Sequence, residues 1–212
     1  MDFFSQFLSF LFPEKCLACK KTGVPLCAGC SGFLPKGFPP DKNTVVLLDY
    51  RDKRVKKSIW LLKYRNKRML AGIFAKMLYD ILLEELAELK LMKNFSNPLL
   101  LPMPISGKRF RERGYNQVEL VAYELARIGG FELNTNTLLK SRHTESQVKA
   151  EGRRERLKNL KGSFAVKNPD VIRGRNIILL DDVITTGATM SEARKTLKEA
   201  RVKNILSVAL AH

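Results

Sequence analysis

Short apolar-rich runs recur along this chain with little polar interruption. Residues 177–180 (IILL) and 99–103 (LLLPM) are the clearest, and 45–50 (VVLLDY) and 205–209 (ILSVA) are two more. Runs of this length without alternation predict strands buried on both faces, as in a parallel sheet. Between them the period lengthens to that of a helix. Val55, Ile59, Trp60 and Leu62 fit one helix within 52–63, and residues 69–91, rich in Leu, Ala and Glu, predict a longer one. A third is predicted between Gly114 and Ile128, closed by Gly129 and Gly130, and a fourth over 190–200 with Ala193, Leu197 and Ala200 on one side. Thr189 and Glu192 stand at capping-box spacing for that last helix. Strands and helices therefore alternate, which predicts an α/β fold with a parallel sheet and flanking helices. Pro35, Gly37, Pro39 and Pro40 predict a linker ending near Thr44, so an N-terminal part, 1–44, precedes the main domain, 45–212.

The N-terminal part carries its own chemistry. All four cysteines of the chain lie there, as Cys16-x2-Cys19 and Cys27-x2-Cys30. In a reducing compartment two such knuckles supply four thiolates to one metal, and zinc suits a closed, structural four-sulfur site. A dithiol oxidoreductase would not need the second pair. Residues 3–12 (FFSQFLSFLF) are apolar but too few to span a bilayer, and Asp2 with no basic flank argues against a cleaved leader. Phe3, Phe7, Phe10 and Leu11 predict an N-terminal helix packed by one face, and the expected location is cytoplasmic. Lys and Arg number 38 against 21 Asp and Glu, a formal charge of +17. A field of that sign draws in polyanions: nucleic acid, an anionic surface or a pyrophosphate.

Two predicted strand ends carry candidate binding chemistry, where ligands of open parallel sheets bind. After 177–180 come Asp181 and Asp182, then a Thr/Gly loop that opens a helix. Backbone N–H groups and the helix dipole converge there on a point suited to phosphate, Thr185, Thr186 and Thr189 add hydroxyls, and Gly187 permits close backbone approach. No Lys follows the glycine, so the loop is not of the Walker type. Two carboxylates beside a phosphate cradle need a partner other than the anion, and sugar hydroxyls are such a partner; a ribose 5-phosphate fits. At the other strand end, Ser106 and Gly107 offer backbone donors, and Lys108 and Arg109 offer charge, for a pyrophosphate.

These residues resemble the phosphoribosyltransferases of type I fold. The resemblance implies that Asp181 and Asp182 contact the ribose hydroxyls of phosphoribosyl pyrophosphate (PRPP), that Thr185, Thr186, Gly187, Ala188 and Thr189 hold its 5-phosphate, and that Ser106 to Arg109 form the pyrophosphate loop. Mg²⁺ is expected to bridge pyrophosphate and ribose oxygens. The paired CxxC start, Leu62-Lys63-Tyr64-Arg65, Pro102-x-Pro104, Arg109-x-Arg111-x-Arg113-Gly114-Tyr115-Asn116-Gln117 and DDVITTGAT together are similar to the competence protein F (ComF) family. That resemblance implies a role in natural transformation, with single-stranded DNA and other competence machinery at the inner membrane face as partners. Arg201 stands where that family commonly has glycine, and residues 147–159 are one residue longer than its usual spacing. Lys63, Arg111, Arg113, Tyr115, Arg153, Arg154 and Arg156 are the candidate DNA contacts, since cations interleaved with aromatics suit a single strand. The last three lie in a basic stretch, 140–161, with eight cations against three acids. As an enzyme the protein would displace pyrophosphate at ribose C1, with Asp181, Asp182, Lys108, Arg109 and Arg113 as catalytic candidates. A metabolic transferase with another acceptor, and a non-catalytic PRPP-sensing regulator, are the alternatives.

Overall fold

The computed structural model describes residues 13–141 and 162–212. The predicted N-terminal helix, Arg153, Arg154 and Arg156, and most of the basic stretch lie outside them. The elements are α1 (Ala28–Ser31), β1 (Thr44–Leu48), α2 (Lys53–Tyr64), α3 (Met69–Lys93), β2 (Leu99–Pro102), α4 (Gly107–Arg113), α5 (Gln117–Gly129), β3 (Glu132–Leu133), β4 (Leu138–Lys140), β5 (Phe164–Val166), β6 (Asn176–Val183), α6 (Ala188–Glu199) and β7 (Asn204–Ala211). Five strands form a wholly parallel sheet in the order β1-β7-β6-β2-β3, while β4 and β5 pair as a separate antiparallel hairpin.

Three of the apolar runs, those of β7, β6 and β2, occupy the middle of this sheet, where both faces are covered, and the fourth, β1, lies at one edge. Ile178 and Leu180 face a core shared with Val55, Ile59 and Leu62 of α2, Phe74, Leu78 and Leu82 of α3, and Val121 and Leu125 of α5. Ile177 and Leu179 face the other core, with Leu138, Phe164, Met190 and Leu197. On α2 and α5 the buried residues recur at i, i+3, i+4 and i+7, the stripe that period predicts. Pleating then fixes the site: Asp182 continues the face of Ile178 and Leu180, and Asp181 continues the face of Ile177 and Leu179. The two adjacent carboxylates thus leave the strand on opposite sides.

The linker is a structural part of the domain. Its Lys36 bridges antiparallel to Leu48, and the Gly37 and Asp49 amides donate to Leu47 and Pro35 carbonyls, covering the free edge of β1. A side chain at position 37 would run into the Leu48 carbonyl and Val46, which explains the glycine. Further on, the Arg194 guanidinium of α6 donates to Asp41, to the Asn43 carbonyl, to Thr44 Oγ1 and to the buried Ser207 Oγ, clamping linker, β1 and β7 together. Arg201 sits at φ 62° beyond α6, so this chain holds a non-glycine residue in the left-handed region at a cost of about 1 kcal/mol. Two sequence expectations are corrected. The basic segment 107–113 is a helix, because Ser106 caps it and accepts from the Arg109 amide at 3.3 Å. The Thr189–Glu192 capping box does not form, since α6 starts at Ala188 behind a left-handed Gly187 and Glu192 accepts from the Gly162 amide at 2.6 Å.

Candidate functional site

The ends of β2 and β6 lie side by side, paired through Pro102 and Leu180. From β6 the chain passes Asp181 and Asp182 into the 184–187 turn, where exposed Thr185 and half-buried Thr186 precede Gly187 at φ 75°. Among the described residues no side chain caps the first turn of α6, so its N-terminus faces the loop with backbone donors to offer. Ala188 is buried beneath this turn and Thr189 is half-buried in it. From β2 the chain passes Pro104 into Ser106, with Gly107, Lys108 and Arg109 exposed on the first turn of α4.

Asp182 is the anchor of this region. Its Oδ2 accepts from Gln117 Nε2 and pairs with Lys63 Nζ at 2.9 Å. Gln117 in turn accepts from Arg113 Nη1 at 2.8 Å, and Arg113 Nη2 donates to Tyr64 Oη at 3.1 Å with the guanidinium over the Tyr64 ring. Arg113 Nε is buried with no partner among the described residues, a donor left for something else. One polar chain, Lys63–Asp182–Gln117–Arg113–Tyr64, therefore ties α2, α4 and α5 to the end of β6.

The run Arg113 to Gln117 supplies each link in turn. Gly114 takes φ 75° and ends α4; Tyr115 Oη donates to the Leu62 carbonyl at 2.5 Å; Asn116 is buried, caps α5 through the Val118 amide and donates to the Met103 carbonyl at 3.1 Å; Gln117 holds Asp182. Lys63 and Tyr64 come from the end of α2. Beside them lies a cavity of about 280 Å³ lined by Lys63, Tyr64, Arg68, Arg113 and Tyr115 among others. Arg111 points into solvent on α4.

Asp181 has the opposite environment. Desolvation, then the charge of Asp182, raises its carboxyl to about 7, against the opposing effects of the Asp182 amide, Lys63 and Lys140. Lys140, at the end of β4, is itself lowered by burial and by the charge of Arg109. Lys140 thus feels Arg109 from one element and Asp181 from another. Gln117 and Tyr64 carry no site role in the sequence reading beyond belonging to the Arg109–Gln117 and Leu62–Arg65 runs, and Lys140 enters it only as the first cation of the basic stretch. The place of Lys140 near Asp181 depends on a hairpin whose strands are far apart in the chain.

At the N-terminus the four cysteine sulfurs all lie within 4.8 Å of one another, with Cys19 and Cys27 Sγ 3.7 Å apart. Four thiolates around zinc form a tetrahedron with edges of about 3.8 Å, so the set fits that ion. Burial opposes charge on Cys16, but amides of Cys27, Cys19 and Ala18 hold its thiol down at about 6; shared hydrogen bonds with Cys27 and Cys19, then desolvation, push Cys30 up to about 12. Such crowding of thiols is what a bound cation relieves.

Comparison with known proteins agrees with this architecture. The phosphoribosyl transferase domain family matches residues 77–212. Competence protein F of Haemophilus influenzae is 35% identical over 114 residues, 53% of this chain and 49% of that protein. Competence protein ComFC of Streptococcus pneumoniae is 29% identical over 198 residues, 93% of this chain and 80% of that protein. The chain thus spans about half of the first relative and most of the second. Among solved structures, hypoxanthine phosphoribosyltransferase from Trypanosoma cruzi aligns with a TM-score of 0.41 at 13% identity, over 68% of this chain and 64% of that one. The chain belongs to the phosphoribosyl transferase domain family, and within that superfamily to the competence protein F (ComF) family. Among the described residues no helix is long and apolar enough to cross a membrane.

Proposed function

We propose that this protein binds PRPP between the ends of β2 and β6 and serves natural transformation by handling single-stranded DNA beside that site. The polar chain that fixes Asp182 next to an uncapped helix N-terminus carries the first half of the reading. Thr185, Thr186, Thr189 and the first-turn amides of α6 receive the 5-phosphate. Asp181 accepts from the ribose hydroxyls, and Asp182, already held by Lys63 and Gln117, keeps the strand end in register with them. Ser106, Gly107, Lys108 and Arg109 receive the pyrophosphate, with Lys140 close by. Mg²⁺, carried on PRPP oxygens, would supply further charge neutralisation at the departing pyrophosphate. Zinc in the four-cysteine site has a structural part only.

If the site turns over, the C1–pyrophosphate bond breaks as the acceptor bonds to C1, and Asp181 stabilises the positive charge that develops on the sugar. A PRPP sensor without chemistry would use the same contacts, so release of pyrophosphate with DNA or a candidate acceptor separates the two. Calorimetry with PRPP and Mg²⁺ tests the common core: saturable heat is expected from the intact chain and none from Asp181→Ala/Asp182→Ala. Absence of heat from the intact chain overturns the reading.

The names of the relatives support the competence role, and the surface of α2 supports the DNA half. Trp60 and Tyr64 are exposed, with centroids 5.9 Å apart; Lys57 lies 4.4 Å and Arg65 5.5 Å from the Trp60 ring, and Arg68 lies 5.9 Å from that of Tyr115. Aromatic faces interleaved with cations form a stacking platform for unpaired bases. In fluorescence anisotropy with a labelled thymidine 20-mer, Trp60→Ala should weaken binding about tenfold. An unchanged affinity would remove this surface from the proposal.

A further inference from the structure

A second basic cavity lies at the opposite pole of the sheet, where none of the candidate residues above is found. It measures about 220 Å³, and five cations line it: Lys42, Lys93, Arg194, Lys198 and Lys203. No carboxylate is part of its lining. Phe95 and Leu206 give it apolar wall, and Asn43 and Asn204 give it amides. Asn43 precedes β1 and Asn204 opens β7, so the cavity sits at the amino ends of the strands, whereas the Asp181–Gly187 region sits at their carboxyl ends.

The plain reading is that these lysines neutralise helix ends, because α3 finishes at Lys93 and α6 carries Lys198 in its last turn. Two helix ends offset about one charge together, and Asp41 offsets Arg194, which leaves roughly +3 gathered around one concavity. Lys42, Lys198 and Lys203 form no ion pair among the described residues. Like charges held this close repel, and an enclosed shape strengthens the field they share. The cavity is smaller than a typical cleft for a drug-sized ligand, so it suits one phosphate and the sugar attached to it. Asn204 Nδ2 already donates to Asn176 and to the Lys93 carbonyl, and Asn43 Oδ1 accepts from Lys93. The cations meet the phosphate, the Asn43 nitrogen and the Asn204 oxygen meet sugar hydroxyls, and the apolar wall meets the carbon face of the ring.

We infer that this cavity is a second anion site that takes a phosphorylated ribose or deoxyribose, from a free nucleotide or from a nucleic-acid backbone. It goes beyond the PRPP reading and does not depend on it. The test compares the intact chain with Lys42→Gln/Lys198→Gln/Lys203→Gln, leaving Arg194 in its structural clamp. An equal-charge control, Lys36→Gln/Lys76→Gln/Lys167→Gln, alters exposed lysines elsewhere. Binding of AMP is followed by calorimetry and of a labelled thymidine 20-mer by anisotropy across salt concentrations. The cavity variant should lose at least tenfold in affinity for one probe or both, and the control should stay within about twofold. Loss for AMP marks a nucleotide site. Loss for the oligomer alone, with a salt slope shallower by about 2, marks a backbone site. Equal losses in cavity variant and control, or no loss in either, overturn the inference; PRPP heats measured on the same samples report separately on the other pole.

Discussion

Zinc removal by a strong chelator is expected to unfold the segment from residue 13 to about residue 40 and to lower the thermal midpoint of the whole chain by about 10 °C or more. Four cysteines within so short a stretch have little core of their own, so metal binding and folding are there one process. The effect spreads because the segment does not fold apart from the domain: Cys16, Leu26 and Leu34 are buried in the same cluster as Leu47, Val55 and Leu62. Losing that packing together with the linker's cover on β1 is worth at least about 5 kcal/mol, and a chain of this size shifts by about 2–4 °C per kcal/mol. Cys16→Ser should reproduce most of the loss. Elemental analysis of protein purified without chelator should find one zinc per chain. A metal-free preparation that melts at the same temperature as the native one would refute the structural assignment.

Replacing Asp181 by Asn is expected to make the protein more stable and to abolish PRPP binding. The carboxyl is raised to about 7 in the folded chain, above its ordinary value of 3.8, so folding binds a proton between those two pH values. Its favourable contribution is complete below pH 3.8 and is lost as pH rises through about 7. Above that point the folded chain carries a desolvated charge beside Asp182, which Asn removes. The gain from Asp181→Asn should therefore be greatest at pH 8, amount to a few kcal/mol at most, and vanish towards pH 4; chemical denaturation at the two pH values measures it. PRPP hydroxyls need the ionised acceptor, so affinity of the native protein should fall about tenfold per unit below pH 7. A pH-independent affinity, or PRPP binding retained in the variant, would show that Asp181 does not take the sugar. Stability given up at a binding residue is common where a site must hold charge ready for a ligand.

Much of this was legible along the chain. The strands at 45–50, 99–103, 177–180 and 205–209 were marked by unbroken apolar runs, because a strand covered on both faces needs no polar side. The helices of 53–64 and 69–93 were marked by period and propensity. The hairpin of β4 and β5 was not, since Leu138–Lys140 and Phe164–Val166 are three residues each and gain their meaning from pairing across a long separation. The short β3 was missed for the same reason. Segment 107–113 read as a turn because its residues are all polar or exposed, and what makes it helical is a single cap at Ser106.

The four sulfurs, the two aspartates and the Thr/Gly loop were fixed by local order alone: spacing within a few residues determines which groups share a metal or follow a strand. Which carboxylate is held by a cation and an amide, and which is left half-buried without an ion pair among the described residues, was decided only when α2, α4 and α5 packed over one face of β6. Lys63, Gln117 and Arg113 are distant from Asp182 in the chain, and only packing of α2, α4 and α5 against the end of β6 puts Lys63 and Gln117 on Asp182 and Arg113 on Gln117.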